Sequence, residues 1–298
     1  MAPRKRTVLI TGCSDGGLGA ALARAFHKRG DRVFATARTL SKMSALQIMG
    51  IETLPLDVLS EESIRSCVDQ VSSLTGGSLD VLVNNAGAGF NMPVLDASIA
   101  EIQRQFELNV FSAVRMIQLF FPLLRSSTTE QKMIVNNSSC GSVLNLPFVG
   151  PYSASKAALA SFSETLRLEM HAFGIKVIDL RTGGVRSNFF DNANHEMSSS
   201  LPEKSPYSSG KDIVEKFLGH GPQVSLMDAD IWANKVVSDL SKRGGKGAPH
   251  RIWRGQGATF AWFGTTALPV GWLDVVVKKL SGLDVVEERI RREKKKRV

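Results

Sequence analysis

The sequence is poor in cysteine, with only three in 298 residues, and Cys13, Cys67 and Cys140 lie far apart along it. No Cys-x-x-Cys or Cys/His ligand spacing occurs, which argues against both a disulfide framework and a zinc site. Sparse, unpaired cysteine is typical of a reducing compartment. The N-terminal residues also lack a long apolar run that ends at a small-residue cleavage site, so we expect no secretory signal.

Acidic charge is scarce as well, and the net charge is +9. Residues 289–298 hold seven basic side chains and one acidic side chain, Glu293, so this tail carries +6 and the rest of the chain about +3. A basic stripe across the fold, which nucleic-acid binding would need, is therefore not indicated. The tail is either a solvated end of the chain or a contact with an anionic membrane surface. Both interpretations stay open.

Long hydrophobic runs are missing, but residues 258–273 contain no charged side chain. These 16 residues are too few to span a bilayer, which needs roughly 20, and Gly264, Pro269 and Gly271 interrupt them. Trp262 and Trp272 are of the type that favours the membrane boundary. The segment either contacts a membrane or packs on the protein core or a dimer interface.

Short apolar runs alternate with longer amphipathic stretches through most of the chain. Strands are predicted at 7–10, 32–37, 52–56, 81–84, 133–137, 176–180 and 250–254. Helices are predicted at 19–29, 61–74, 99–124, 154–173 and 228–241. This alternation predicts an α/β fold, a single doubly wound Rossmann domain with a parallel sheet of about seven strands. We assign residues 1–255 to this domain and 256–298 to an apolar and basic C-terminal extension.

The first strand leads into the glycine-rich sequence Thr-Gly-Cys-Ser-Asp-Gly-Gly-Leu-Gly at residues 11–19, and a helix follows. Glycine lets the backbone approach a pyrophosphate closely, and the helix N-terminus supplies free N–H groups. The alternative is a flexible loop that binds nothing. We assign the dinucleotide contacts in this turn to Gly12, Ser14, Gly16, Gly17, Leu18 and Gly19.

The residues that follow the second strand indicate which cofactor is used. A carboxylate here would bind the ribose 2′-hydroxyl of NAD, whereas an arginine accommodates a 2′-phosphate. No acid is present, and Arg38 lies 19 residues after Gly19. We therefore predict NADPH, with a plain surface arginine as the alternative.

Tyr152 and Lys156 stand at i and i+4, so they share one face of a helix. A free tyrosine has a pKa of about 10, and a neighbouring ammonium group lowers it. Ser139 lies at the end of a predicted strand, at the sheet edge where ligands of α/β proteins bind. Its hydroxyl can hydrogen-bond a substrate carbonyl as negative charge develops on the oxygen.

At this point the chain resembles the short-chain dehydrogenase/reductase family over residues 5–255. The resemblance rests on Tyr152-x-x-x-Lys156, on Ser139 and on Asn-Asn-Ala-Gly at residues 84–87. Asn109 and Asp57 match further family positions. The glycine turn has one extra residue, and the Pro-Gly that usually follows the sixth strand is Thr-Gly here.

The resemblance implies a role for each matching residue. Tyr152 is the general acid in carbonyl reduction, and Lys156 lowers its pKa and holds the nicotinamide ribose. Ser139 orients the carbonyl, and Asn109 anchors a water that links Lys156 to solvent. Further cofactor contacts are implied for Asp57, Asn85, Val185 and Ser187.

Within the family, the chain is similar to fungal NADPH-dependent 1-acyldihydroxyacetone-phosphate reductases. This similarity implies a small apolar carbonyl substrate, a lipid ketone, and the cytoplasmic side of the endoplasmic reticulum or a lipid droplet. Two alternatives stay open: a carbonyl or alcohol of secondary metabolism, with a plain cytoplasmic location, and an inactive NADPH-binding scaffold. The family also implies a homo-oligomer, formed through the helices that hold Asn109 and Tyr152.

Overall fold

The computed structural model describes residues 4–189, 200–222, 224–242 and 247–296. Its centre is a seven-stranded sheet in the order β3-β2-β1-β4-β5-β6-β7, with every neighbouring pair parallel. The predicted fold class is therefore confirmed. The strands are β1 Thr7–Thr11, β2 Arg32–Ala37, β3 Glu52–Pro55, β4 Val81–Asn84, β5 Met133–Ser139, β6 Lys176–Thr182 and β7 Arg251–Arg254.

Helices cover both faces of the sheet. One face packs against α1 and α8, and the other against α3, α5 and α6. The helices are α1 Leu18–Lys28, α2 Ser44–Ile48, α3 Glu61–Thr75, α4 Ile99–Phe106, α5 Ser112–Ser126, α6 Gly150–Met170, α7 Lys211–His220, α8 Ala229–Leu240, α9 Ala258–Ala267, α10 Asp274–Ser281 and α11 Leu283–Lys296.

The strand order reverses between β1 and β4, because β2 and β3 lie on one side of β1 and all later strands on the other. The loops after the two strands at this point diverge, which opens a crevice at the carboxyl edge of the sheet. β5 and β6 reach this edge together, since their pairing continues to Ser139 and Thr182. The fold thereby carries the polar ends of these two strands to the crevice.

Among the described residues, one helical stretch, Ile99–Ser126, is long and apolar enough to cross a membrane by length and composition alone. Half of its most apolar window is buried inside the protein. The stretch packs against α3, β4 and α6. We therefore interpret it as a core helix of the domain.

The C-terminal extension folds into three helices, where the sequence had indicated only an apolar segment and a tail. α9 packs on β7, and α11 packs beside residues 208–210. Val286 of α11 is completely buried against a cluster that includes Phe90, Met92 and Val149. The extension is thus tied to loops at the carboxyl edge of the sheet.

Candidate active site

The glycine turn joins β1 to α1 and leaves the helix N-terminus open. Gly12 and Gly16 have φ of 73° and 77°, values that side chains other than glycine rarely adopt. A Cβ on Gly12 would also lie 2.9 Å from the Cα of Ala86. Gly17 is the N-cap of α1, and neither a capping side chain nor an acidic residue occupies the first turn. The α1 N–H groups are therefore available to an anion.

The close contacts of the turn show which of its residues start α1. Leu18 begins α1, and its side chain packs partly buried on the core. Gly19, one residue further along, is so close to the carbonyl of Gly12 that a Cβ would collide with it. Gly17, Leu18 and Gly19 thus form the helix start, and Gly16 is exposed just before it. Ser14 stays within the turn, where its carbonyl accepts from the Gly17 N–H at 3.0 Å.

Asn85 connects the glycine turn to the neighbouring strand ends. Its Nδ2 donates to the carbonyl oxygens of Thr11 at 2.9 Å and Gly12 at 3.3 Å. Its Oδ1 accepts from Nδ2 of Asn137 at 2.9 Å. The Thr182 hydroxyl in turn donates to Oδ1 of Asn137 at 2.6 Å. This network holds the ends of β1, β4, β5 and β6 in one arrangement.

Arg38 directly follows β2 and is exposed. The turn lies against the same strand end, because the Cys13 N–H donates to the Thr36 carbonyl at 2.8 Å. The Asp57 carboxylate, just beyond β3, accepts from the Leu59 N–H at 3.0 Å. Asp57 therefore stabilises the turn before α3, and the adenine contact implied by the resemblance stays a prediction.

Tyr152 lies in the first turn of α6, which begins four residues earlier than the sequence pattern predicted. Its phenol lies within reach of the Ser139 hydroxyl, and this interaction partly offsets burial, which raises the pKa of Tyr152 to about 12. The Phe189 ring stands edge-on to the Tyr152 ring, with centroids 5.6 Å apart. The phenol and the serine hydroxyl therefore meet beside an apolar wall.

The Lys156 side chain is buried next to Tyr152. Its Nζ donates to the carbonyl of Asn137 at 2.9 Å and lies 5.9 Å from the centroid of the Tyr152 ring. Burial lowers the pKa of Lys156 to about 8, and the Asp179 carboxylate opposes this shift. The amine is thus still largely protonated at neutral pH, although its charge costs desolvation energy.

The lowering of the Tyr152 pKa by Lys156, which the resemblance implies, stays a prediction. Burial has the largest effect and raises the pKa of Tyr152 to about 12, and the Ser139 hydrogen bond opposes it. Desolvation disfavours the charged phenolate, so burial keeps the phenol protonated. Tyr152 is therefore a protonated donor at neutral pH.

Asn109 lies in a π-helical turn, Glu107–Phe111, between α4 and α5. Its Nδ2 donates to the Ala88 carbonyl and to the Ser155 hydroxyl, both at 3.0 Å, and its Oδ1 accepts from the Ala88 N–H at 3.0 Å. A Cβ on Gly87 would lie 2.9 Å from this Oδ1 and 3.4 Å from Nζ of Lys156. Asn109 and Lys156 thus border one small space at Gly87. This placement is compatible with a water between them.

Val185 and Ser187 follow β6, as the family pattern requires. Val185 forms an isolated β-bridge with Met227, and this contact orders the chain just beyond the crevice. Ser187 is half-buried. Their contact with a nicotinamide stays a prediction.

Three contributors were missed by the sequence reasoning: Asn137, Gly87 and Asp179. The Asn-Asn-Ser-Ser run that ends β5 was a usable signal, because consecutive polar residues at a strand end are costly unless they are bonded. Asp179 accepts from the Ser138 hydroxyl and, at 2.7 Å, from Nε of Arg181. Asp179 and Arg181 are two residues apart on one strand, so alternation places them on one face.

The site fits a nicotinamide dinucleotide. The open α1 N-terminus and the glycines without Cβ atoms suit a pyrophosphate. The Lys156 ammonium lies beside the Tyr152 ring, and the Ser139 and Tyr152 hydroxyls lie close to each other, so three hydrogen-bond donors are grouped at this edge.

Sequence and structure comparisons agree with this geometry. A profile of the family described as short chain dehydrogenase matches residues 6–198. A short-chain dehydrogenase/reductase of Pestalotiopsis microspora is 44% identical over 292 residues, which cover 98% of this chain and 99% of that protein. An NADPH-dependent 1-acyldihydroxyacetone phosphate reductase of Schizosaccharomyces pombe is 40% identical over 80% of each chain.

The structural likeness extends over nearly the whole chain. The crystal structure of a short-chain dehydrogenase from Streptomyces avermitilis superimposes with a TM-score of 0.74 at 29% identity, and covers 97% of this chain and 99% of that one. The hydrogen-bonded Tyr152 and Ser139 lie beside Lys156 at the carboxyl edge of this shared fold. The chain is therefore an oxidoreductase that belongs to the short-chain dehydrogenase/reductase family.

Proposed function

We propose that this protein is an NADPH-dependent reductase that converts a ketone of an apolar, lipid-like substrate to an alcohol. The observation that carries the proposal is the protonated Tyr152 phenol, hydrogen-bonded to Ser139 and adjacent to Lys156. When bound, the nicotinamide supplies the hydride. The protein has to supply a proton to the developing alkoxide and hold the carbonyl in place.

Each side chain has a task that follows from its surroundings. The Ser139 hydroxyl donates to the substrate carbonyl and orients it. Tyr152, whose pKa burial raises to about 12, holds its proton until negative charge develops on the neighbouring oxygen. Lys156 remains cationic near neutral pH and favours the phenolate that forms when the proton leaves. Asn109 holds the space through which a water can return a proton.

The preference for NADPH is proposed from the end of β2. Arg38 directly follows this strand, and residues 32–38 contain no Asp or Glu. The same strand end lies next to the glycine turn that would hold the pyrophosphate. A guanidinium group suits a 2′-phosphate by its geometry and permanent charge. The name of the relative from Schizosaccharomyces pombe also specifies NADPH.

Two substrate classes remain, and the lipid ketone is our first choice. The same relative is named for 1-acyldihydroxyacetone phosphate, and the Phe189 ring gives the Tyr152 site an apolar wall. A carbonyl or alcohol of secondary metabolism is the second candidate. It is favoured because the more similar fungal relative, 44% identical over 98% of this chain, is named without a lipid substrate. An inactive scaffold is disfavoured by the complete set of Ser139, Tyr152 and Lys156.

A substrate panel tests this proposal. NADPH oxidation is followed with 1-acyldihydroxyacetone phosphate, simple long-chain ketones and aromatic polycyclic ketones, and the products are identified. We expect the acyl substrate to give the highest kcat/KM. Turnover of only the aromatic ketones would select the second candidate, and turnover of none, with NADPH still bound, would select the scaffold.

Tyr152→Phe is the matched variant for the proton donor. We expect kcat to fall by about 10³-fold, because the ring and its packing remain while the acid is lost. NADPH affinity, measured by fluorescence titration, should stay within about twofold, since the phenol is not needed for the phosphate contacts. Retained turnover in this variant would remove Tyr152 from the role of general acid.

A further inference from the structure

The burial pattern of α9 is the reverse of that in an ordinary surface helix. Large apolar side chains normally face the core, and small or polar ones face water. In α9, the buried residues are the small ones, Ala258, Ala261 and Gly264. The large apolar residues Phe260, Trp262 and Phe263 are exposed, with 45%, 48% and 54% of their surface in contact with solvent.

The exposed apolar surface continues beyond α9. Val270 is fully exposed at the following turn, and Trp272 and Val275 are 69% and 65% exposed. Leu273 folds back onto Gly264, where a Cβ would lie 2.7 Å from its Cδ1, so the turn is held against α9. We call these exposed side chains the apolar platform: Phe260, Trp262, Phe263, Val270, Trp272 and Val275.

A cationic cleft adjoins this platform. It has a volume of about 280 Å³ and shares Trp262 with the platform. Its lining includes three cations, Lys242, Arg251 and Arg254, and one carboxylate, Asp239. Lys242 and Arg254 both bind Asp239 at 2.7 Å, so the acid is already neutralised. Arg251 lies 3.5 Å from Asp179, which also binds Arg181. Lys242, Arg251, Arg254 and Arg181 thus face two carboxylates, Asp239 and Asp179, so the cleft retains positive charge beside exposed indole and phenyl rings.

We propose that the apolar platform docks this protein on the surface of a bilayer that contains anionic lipids. The rings and Val270 enter the boundary between headgroups and acyl chains, where tryptophan is favoured. The cleft cations meet the lipid phosphates and carboxylates at the same level. Asp274, exposed at the start of α10, is the single charged side chain in residues 258–275, so this one carboxylate has to stay at the level of the headgroups.

Charge favours a bilayer over a second copy of the chain as the occupant. Two copies paired through their platforms would bring two cationic clefts to one interface, whereas anionic headgroups neutralise them. The last turn of α10 holds Lys278, which is paired with Glu287 at 2.6 Å, and Lys279. Lys279 is exposed, so it can meet the headgroups directly.

The platform also lies next to the reaction site. The buried side of α9 packs on Cys140, which directly follows Ser139. A docked protein would therefore hold its catalytic serine close to the membrane surface. This arrangement suits an apolar substrate dissolved in the bilayer, although the docking itself does not depend on the reductase activity.

Vesicle flotation of the full chain tests the docking. Vesicles of phosphatidylcholine alone are compared with vesicles that also contain phosphatidylserine, and the wild-type protein is expected to prefer the second. The double variant Val270→Glu with Trp272→Glu should lose about tenfold or more of its vesicle affinity. Lys242→Gln should lose about fivefold on the anionic vesicles only.

Ile48→Glu is the matched control, because Ile48 is 87% exposed on α2, outside the platform. It should float like the wild type. Circular dichroism melts show whether each variant is folded, so a loss of binding is separated from misfolding. Point variants are preferable to deletion of 256–298, since α11 packs into the domain through Val286.

Three results would overturn the inference. The wild type could fail to float with either vesicle, or the double variant could float as well as the wild type. Alternatively, the double variant could convert a dimer to a monomer in sedimentation experiments without any effect on flotation, which would identify the platform as an interface between copies. None of these results depends on NADPH turnover, so the proposed reductase function is judged separately.

Discussion

At the scale of single residues, the reaction site depends on two buried ionisable groups whose pKa values shift in opposite directions. Burial raises the pKa of Tyr152 to about 12 and lowers that of Lys156 to about 8. Both shifts favour the neutral form of the group. Between neutral pH and about 8, the protein therefore combines a protonated acid with a cation, the pair that carbonyl reduction needs.

This combination predicts the pH dependence of reduction. Lys156 is protonated below about 8 and loses its charge above it, whereas Tyr152 keeps its proton up to about 12. We therefore expect kcat/KM for ketone reduction, which reports the free enzyme, to fall about tenfold per pH unit above about 8. The arginine side chain in Lys156→Arg does not titrate in this range. This variant should be less active, and its kcat/KM should stay constant up to high pH. A wild-type profile that is also flat to pH 10 would contradict this assignment.

The position of Arg38 predicts that the enzyme prefers NADPH over NADH. Arg38→Asp should reduce kcat/KM with NADPH by about 10- to 100-fold and improve the relative use of NADH, because a charge-assisted contact to the 2′-phosphate is replaced by repulsion. Arg125→Asp, at the exposed C-terminal end of α5, is the charge-matched control and should not change the preference. If the ratio of kcat/KM with NADPH to kcat/KM with NADH is unchanged in Arg38→Asp, then Arg38 does not contact the 2′-phosphate.

At the scale of helices and strands, the predicted elements were mostly correct in type, and their ends were the weak point. β5 and β6 each extend two residues beyond the apolar pattern, through Ser138 and Ser139 and through Arg181 and Thr182. Side-chain contacts accompany the longer ladder: Ser138 donates to Asp179, Thr182 donates to Asn137, and Arg181 lies over the ring of Trp253 in β7. The extra pairs are the ones that carry the site, so periodicity alone could not locate its edge.

The helices after β6 were difficult to predict for a different reason, because their own sequence patterns are weak. α7, α9, α10 and α11 were not predicted. α10 has only eight residues, and α11 buries only Val286 along its length. A signal was present: Glu287 with Arg291 and Glu288 with Arg292 are pairs at i and i+4, which favour a helix. Such pairs are weak, and docking supplies the rest of the stability.

The docking of α11 can be measured with Val286→Ala. Val286 is fully buried, and loss of its two methyl groups should destabilise the protein by about 2 kcal/mol, from transfer plus a residual cavity. Its neighbour Val285, 42% exposed, is the matched control and should change stability by less than about 0.5 kcal/mol on truncation. Urea denaturation gives both values. Equal values for the two variants would mean that α11 does not dock as described.

At the scale of the whole molecule, exposed apolar side chains remain on the helices through which the family forms oligomers. Phe111 in the π-helical turn and Phe162 on α6 are 47% and 50% exposed. A homo-oligomer formed there stays a prediction that the family resemblance motivates. The platform on α9 and α10 lies on other elements, so docking on a bilayer and pairing through α6 are compatible.

Phe162→Glu tests this oligomer. The charge would have to be buried in the interface, so we expect a dimer in the wild type and a monomer in the variant by analytical ultracentrifugation. Ile48→Glu should leave the assembly unchanged, since it places the same charge on a different face. A wild type that is monomeric at all concentrations would contradict the prediction.

The sequence by itself determined the features that depend on neighbouring residues. Strand and helix types, the glycine turn and the shared helix face of Tyr152 and Lys156 all follow from local spacing. Only the tertiary structure decided which strand ends meet, how Asn137 links Lys156 to Asn85, and which face of α9 is exposed. Burial, which moves the pKa values of Tyr152 and Lys156, also arises only after folding, because it is produced by contacts between residues far apart in the chain.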